Sequence, residues 1–206
     1  MLGLPSSTEL RSRLPKNAFY RNLKLSTRLK TSFVNDVEAF TVRNTLKPGT
    51  LGVPDGVCVH EVLVLEVAVK RRMAPEAVLT AIARGNAHKL VFVCTFDDCE
   101  CSAVLLGEHL HVTPWVPAGT LCAPIATADM DAVWDSLASQ LVYGDAGQLP
   151  ACTVEQRHGR DVELQRLQAE RERVATRMYK EVQPARKREL HAQVRELDGQ
   201  IEQLGQ

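Results

Sequence analysis

Glu66 and Lys70 lie on one strand-like segment, Val59 to Lys70, and on the same face of it. A carboxylate and a lysine close together on a strand are the pairing that restriction-type nucleases use around a divalent cation. Those enzymes place the two groups two residues apart. Here they are four apart, which is about 13 Å along a strand at roughly 3.3 Å per residue. One ion does not easily serve both, and Glu38 or Asp36 can complete a site only if folding brings it there. The trio Glu38, Glu66 and Lys70 therefore defines an alternative catalytic reading, a divergent metal-dependent nuclease. An ion-paired surface explains the same residues without chemistry.

The sulfur and imidazole groups are less promising. Cys94, Cys99 and Cys101 precede His109 and His111, but a hairpin turning at Gly107-Glu108 pairs Ala103 with Val112 and Val104 with His111. That register sends thiols and imidazoles to opposite faces, so buried structural thiols are expected and no metal or cofactor site. Cys58 and His60 have the types of a thiol nucleophile and its base, yet nothing nearby in sequence orients the histidine. Asp97, Asp98 and Glu100 have oxygens suited to a hard cation, but a hairpin turn accounts for them. No Walker loop, dinucleotide fingerprint or H-E-x-x-H motif is present.

Two basic clusters could bind a partner. Residues 1–31 carry seven cations, among them Arg11, Arg13 and Lys16, against Glu9 alone. Lys180, Arg186, Lys187 and Arg188 form the second cluster, with Glu181 and Glu189 beside them. Either could meet an acidic protein surface or nucleic acid; a solvated surface is the plain alternative. Overall, 25 basic and 25 acidic side chains cancel, which excludes a global electrostatic pull toward nucleic acid.

These residues need elements to position them. Ser26 is an N-cap for a short helix with Leu29, Phe33 and Val37 as its stripe. In the segment from Val59 to Lys70, Leu63, Leu65, Val67 and Val69 alternate with Val62, Val64, Glu66 and Ala68, predicting a central strand covered on both faces. A helix after Pro75 stops at Gly85, three strands run between Leu90 and Trp115, and a helix from Thr127 or Asp129 ends at Gly144. The prediction is an α+β domain, residues 26–145, with helices packed on a mixed β-sheet. A basic N-terminal arm (1–25) precedes it, and a polar linker (146–160) follows.

Residues 161–206 predict an antiparallel helical hairpin, a short coiled coil. Met178 with Leu190, Val174 with Val194, Arg171 with Leu197, Leu167 with Ile201, and Leu164 with Leu204 share a midpoint at Pro184. Pairing about one centre is what two helices joined by a tight turn require. A parallel dimer of interrupted helices is the main rival.

Hydrophobic residues at 45% and charged ones at 24% match globular averages. The longest uncharged stretch, His109 to Ala128, contains Pro114, Pro117, Pro124 and Gly119, which argues against a membrane span. No targeting signal is evident, and a cytoplasmic setting is expected.

Leu4-Pro5-Ser6-Ser7-Thr8-Glu9, Leu14-Pro15-Lys16 and Phe19-Tyr20 come first, then Leu29-Lys30-Thr31-Ser32-Phe33-Val34, Arg43-Asn44 and Thr50-Leu51. Glu61 to Val67, Met130-Asp131-Ala132-Val133-Trp134, Lys180-Glu181-Val182-Gln183 and Arg188-Glu189-Leu190 follow in order. Together they resemble a bacterial family catalogued as domain of unknown function 4391, nearly end to end. The resemblance implies no established activity. Members are often encoded beside helicases and DNA methyltransferases of restriction or phage-defence type. It therefore implies a non-catalytic accessory or adaptor subunit of such a system, with a helicase or DNA methyltransferase as partner. Association of this kind is not mechanism.

Overall fold

A computed structural model describes residues 2–23, 25–145 and 152–205. The chain divides into two compact units, Met1–Val154 and Glu155–Gln206.

The first unit is α+β. Its mixed sheet has the order β1-β2-β3-β4-β5-β6: Glu9–Leu14, Val37–Leu46, Val62–Val69, Lys89–Phe96, Cys99–Leu106 and His109–Val112. A two-residue strand β7, Val116–Pro117, pairs with β5, and a single helical turn, α3, Pro48–Leu51, follows β2. Only β3 and β4 run parallel, joined by the crossover helix α4, Glu76–Arg84; the other neighbours are antiparallel.

β3 is the interior strand its alternation predicts. Leu65, Val67 and Val69 pack with Phe33 of α2 (Thr27–Asn35) and with Val78, Leu79 and Ile82 of α4. Val62 and Val64 face Met130, Val133, Trp134 and Leu137 of α5, Met130–Tyr143. Two side-chain caps also match their sequence signals: Ser26 Oγ accepts from Leu29 N and Asp129 Oδ1 from Ala132 N. The β5–β6 register is the expected one, with Ala103 opposite Val112 and Val104 opposite His111.

Three expectations need correction. Val37 is not helical, because α2 closes at Asn35 and Val37 opens β2. The first 25 residues do not form an arm. After α1, Lys16–Asn22, places Phe19 against Phe40 at 4.6 Å between ring centroids, and buried Asn44 donates to Thr8 Oγ1 at 2.8 Å, the segment is held to the domain. Its strand β1 is the sheet edge. Lys24 lies outside the described residues.

The linker is also shorter than expected. α6 begins at Val154, not after residue 160, and residues 146–151 of the expected linker lie outside the described residues. Gly159 lies within α6, where a Cβ would meet nothing within 4 Å, and a helix tolerates glycine at a cost of about 1 kcal/mol.

The second unit is a helical pair. α6, Val154–Lys180, and α7, Pro184–Leu204, bury Leu167, Val174, Leu190, Val194 and Leu197 between them. Pro184 takes the first helical position of α7, where its missing N–H costs nothing. Arg171 Nε lies 2.9 Å from Asp198 Oδ1, so its head leaves the seam as its placement there demands.

Candidate functional site

Three places gather chemically able side chains. The first is a crevice at the carboxyl ends of β3 and β4, the position where ligands settle in sheets with parallel strands. β2 bulges there, with Val37 opposite Val69 and Ala39 opposite Ala68, which leaves Glu38 as the extra residue. Glu38, Lys70, Thr95 and Asp97 line a cavity of about 380 Å³ with Ala68. Of the proposed nuclease trio, the structure thus brings Glu38 and Lys70 together. Glu66 does not line this cavity; it is paired with Arg43, Nε to Oε2 3.3 Å, farther up the same face.

Lys70 has a structural partner. Its ammonium donates to the carbonyl of Val34 at 2.7 Å, and the Lys16 ammonium donates to the carbonyls of Phe33 and Val37. Both lysines therefore satisfy the carboxyl end of α2, where carbonyls lack helical partners and the dipole favours positive charge. Burial, then the neighbouring Lys70, pulls the Lys16 pKa below the usual lysine range, with Glu38 opposing. Asp36 instead accepts from Ser32 Oγ and from Arg71; the Ser32 bond is the largest cause that holds its carboxyl below the usual value. Among the described residues, no three His, Cys, Asp or Glu side chains converge as a metal site.

The second place is the loop before β3. Nothing in the sequence signals a group to orient His60, but Asp55 Oδ1 does so, 3.0 Å from Nδ1. The Cys58 thiol makes no hydrogen bond to that histidine; Cys58 enters the network through its backbone N–H, which donates to Asp131. Val57 N and Val59 N donate to the same carboxylate at 2.7 and 2.8 Å. Farther on, Glu100 is buried and accepts from Gly119 N and Leu121 N, so it braces the proline-rich loop and is not turned toward a cation. Cys94 and Cys101 lie directly opposite across β4 and β5, both buried. The contact with Cys101, then burial, pushes the Cys94 pKa far up and keeps that thiol protonated.

The third place is the closed end of the helical hairpin. α6 ends at Tyr179-Lys180, Glu181 Oε1 accepts from Val182 N and Gln183 N to make the turn, and α7 starts at Pro184. Tyr179 and Val182 are 78% and 89% exposed. Arg186 reaches Glu181 at 3.7 Å and Arg188 Nε donates to the Pro184 carbonyl, while Lys180 and Lys187 form no salt bridge among the described residues. Of the N-terminal cations, Arg11 pairs with Glu9 at 2.8 Å; Arg11 and Arg13 sit exposed on edge strand β1, where charge discourages pairing with another chain.

The molecule is thus an α+β domain joined to an antiparallel helical hairpin, a class defined by architecture and not by a catalytic centre. The chain belongs to the family described as Domain of unknown function (DUF4391), whose model matches residues 2–201. Comparison with curated proteins and with solved structures gives no match. Among the described residues, no helix is long and apolar enough to cross a membrane.

Proposed function

We propose that this chain is a non-catalytic accessory subunit, an adaptor in a restriction-modification or phage-defence complex of the bacterial cytoplasm. The α+β domain grips one partner and the hairpin docks another, a helicase or DNA methyltransferase being the class the family resemblance implies. The observation that carries this reading is the hairpin end, where an exposed tyrosine and valine stand among cations. Tyrosine and arginine are enriched where interfaces form, and isolated helical hairpins otherwise gain little from exposing them. The test is co-expression with the proteins encoded beside it, any helicase or methyltransferase among them included, followed by size-exclusion chromatography. Co-elution that is lost in Tyr179→Ala/Arg186→Glu/Arg188→Glu is expected; a chain that elutes alone with every neighbour present overturns the reading.

The crevice supports a second reading. Glu38 and Lys70 share the cavity at the ends of the parallel strands, as a divergent nuclease would need. Mg²⁺- or Mn²⁺-dependent cleavage of plasmid or single-stranded DNA, abolished by Glu38→Ala, would favour it over the adaptor.

A further inference from the structure

The hairpin carries its charge unevenly. From Arg177 to Glu189 there are five cations against Glu181 and Glu189, whereas the remainder of residues 155–206 holds six cations against eight carboxylates. In the stems, the charges are matched locally: Arg166 clamps Glu163 and Glu170, at 2.7 and 3.1 Å, and Arg171 meets Asp198. At the closed end, among the described residues, Arg186 alone forms an ion pair, with Glu181 at 3.7 Å. Arg186, Lys187 and Arg188 also fall in the first turns of α7, which has no acidic residue in its first turn. Cations are disfavoured there by the helix dipole, so local stability does not account for them. Beside them stands Tyr179, an aromatic ring 78% exposed at the end of α6.

We propose that the closed end of the hairpin binds the phosphodiester backbone of single-stranded nucleic acid, with Tyr179 as a platform for one base. The proposal rests on reading the hairpin end as a docking surface and assigns that surface a partner. Lys180, Arg186, Lys187 and Arg188 supply the charge, and the arginine forks match phosphate oxygens. A tyrosine ring stacks on any base, so sequence preference is weak. An acidic protein surface would satisfy the cations equally but would give no advantage to a polymer with stacking bases over a plain polyanion. The hairpin end then meets a helicase or methyltransferase through the strand that enzyme holds, while the α+β domain grips its own partner directly.

The experiment is fluorescence anisotropy of the full chain with a labelled 20-nucleotide oligothymidylate over a range of KCl concentrations, with polyglutamate as competitor. Engaging three to five phosphates gives a slope of log K against log salt of roughly −2 to −3.5, at about 0.7 per single-strand phosphate. Lys180→Ala, Arg186→Ala and Lys187→Ala each flatten the slope by about 0.7, and Tyr179→Ala weakens binding roughly 5- to 100-fold. Glu181→Gln keeps an oxygen for the turn while removing the opposing charge, so it tightens binding at low salt, a gain that misfolding cannot mimic. Arg28→Ala/Lys30→Ala on α2 leaves binding unchanged. No binding at low salt, loss on Arg11→Ala/Arg13→Ala and not at the tip, or displacement by polyglutamate of equal charge overturns the proposal. Co-elution with a helicase that persists when oligothymidylate binding fails would leave the adaptor standing and remove this partner alone.

Discussion

At the scale of single residues, two carboxylates of the first unit anchor distant backbone, Asp131 and Glu100. Asp131 collects the N–H groups of Val57, Cys58 and Val59, and Gly56 is required beside it, since a Cβ there would lie 2.7 Å from Asp131 Oδ1 and 2.5 Å from the Val59 carbonyl. Burial pushes the Asp131 carboxyl up, but the three N–H donors outweigh it and hold the pKa below the usual aspartate range. A depressed folded-state pKa stabilises the fold above the unfolded value and ceases to do so as pH falls through the folded one. Asp131→Ala should cost about 1–2 kcal/mol at neutral pH in urea unfolding, kept low because water reaches the Val57 and Cys58 amides, with the gap to wild type closing in acid. Glu100→Ala should cost a similar ~2 kcal/mol by stranding the Gly119 and Leu121 amides, and Glu100→Gln less, because one acceptor remains. Neither role is legible in sequence, where Asp131 reads as a helix residue and Glu100 as part of a turn. Contacts between residues 19 to 74 positions apart leave no local signal.

At the scale of elements, legibility follows the regularity of the pattern. β3 and the β5–β6 hairpin keep strict alternation, and both can be read directly. β2 cannot, because bulges between Val37 and Ala39 and between Val42 and Asn44 break the period of two. The same irregularity hides the crevice, since it is the first bulge that frees Glu38. The lysines are hard to read for a related reason: Lys16 and Lys70 look like contact or catalytic groups, and in the fold both also close the end of a helix that neither belongs to. The hairpin is the opposite case, its pairing about Pro184 being visible in spacing alone. Spin labels at positions 166 and 202, in a background cleared of native cysteines, should report a short distance consistent with helix axes about 8–10 Å apart. Dilution with unlabelled protein should leave that distance unchanged; its disappearance would mean that the two helices come from different copies.

At the scale of the whole molecule, the apolar side chains form three separate clusters. Two sandwich the sheet of the first unit, and the third, around Leu167, Val174, Leu190, Val194 and Leu197, lies wholly between α6 and α7. A hairpin of this size rests on five buried seam residues and their partly buried neighbours, whereas the sheet is covered on both faces, so the two units should differ in resistance to denaturant. Both tryptophans, Trp115 and Trp134, belong to the first unit, which makes their fluorescence a reporter of the sheet alone. Leu190→Ala with Val194→Ala removes seam volume at a cost of roughly 2–5 kcal/mol for the leucine and less for the valine. In urea, that variant should lose far-ultraviolet helical signal early while the tryptophan midpoint stays where it is in the wild type. Charge at the closed end should not alter this result, because Lys180, Arg186, Lys187 and Arg188 lie outside the buried seam. A tryptophan midpoint that shifts together with the helical signal would show that the two cores unfold as one, and the hairpin would then be a structural brace of the sheet, not an independent arm for a partner.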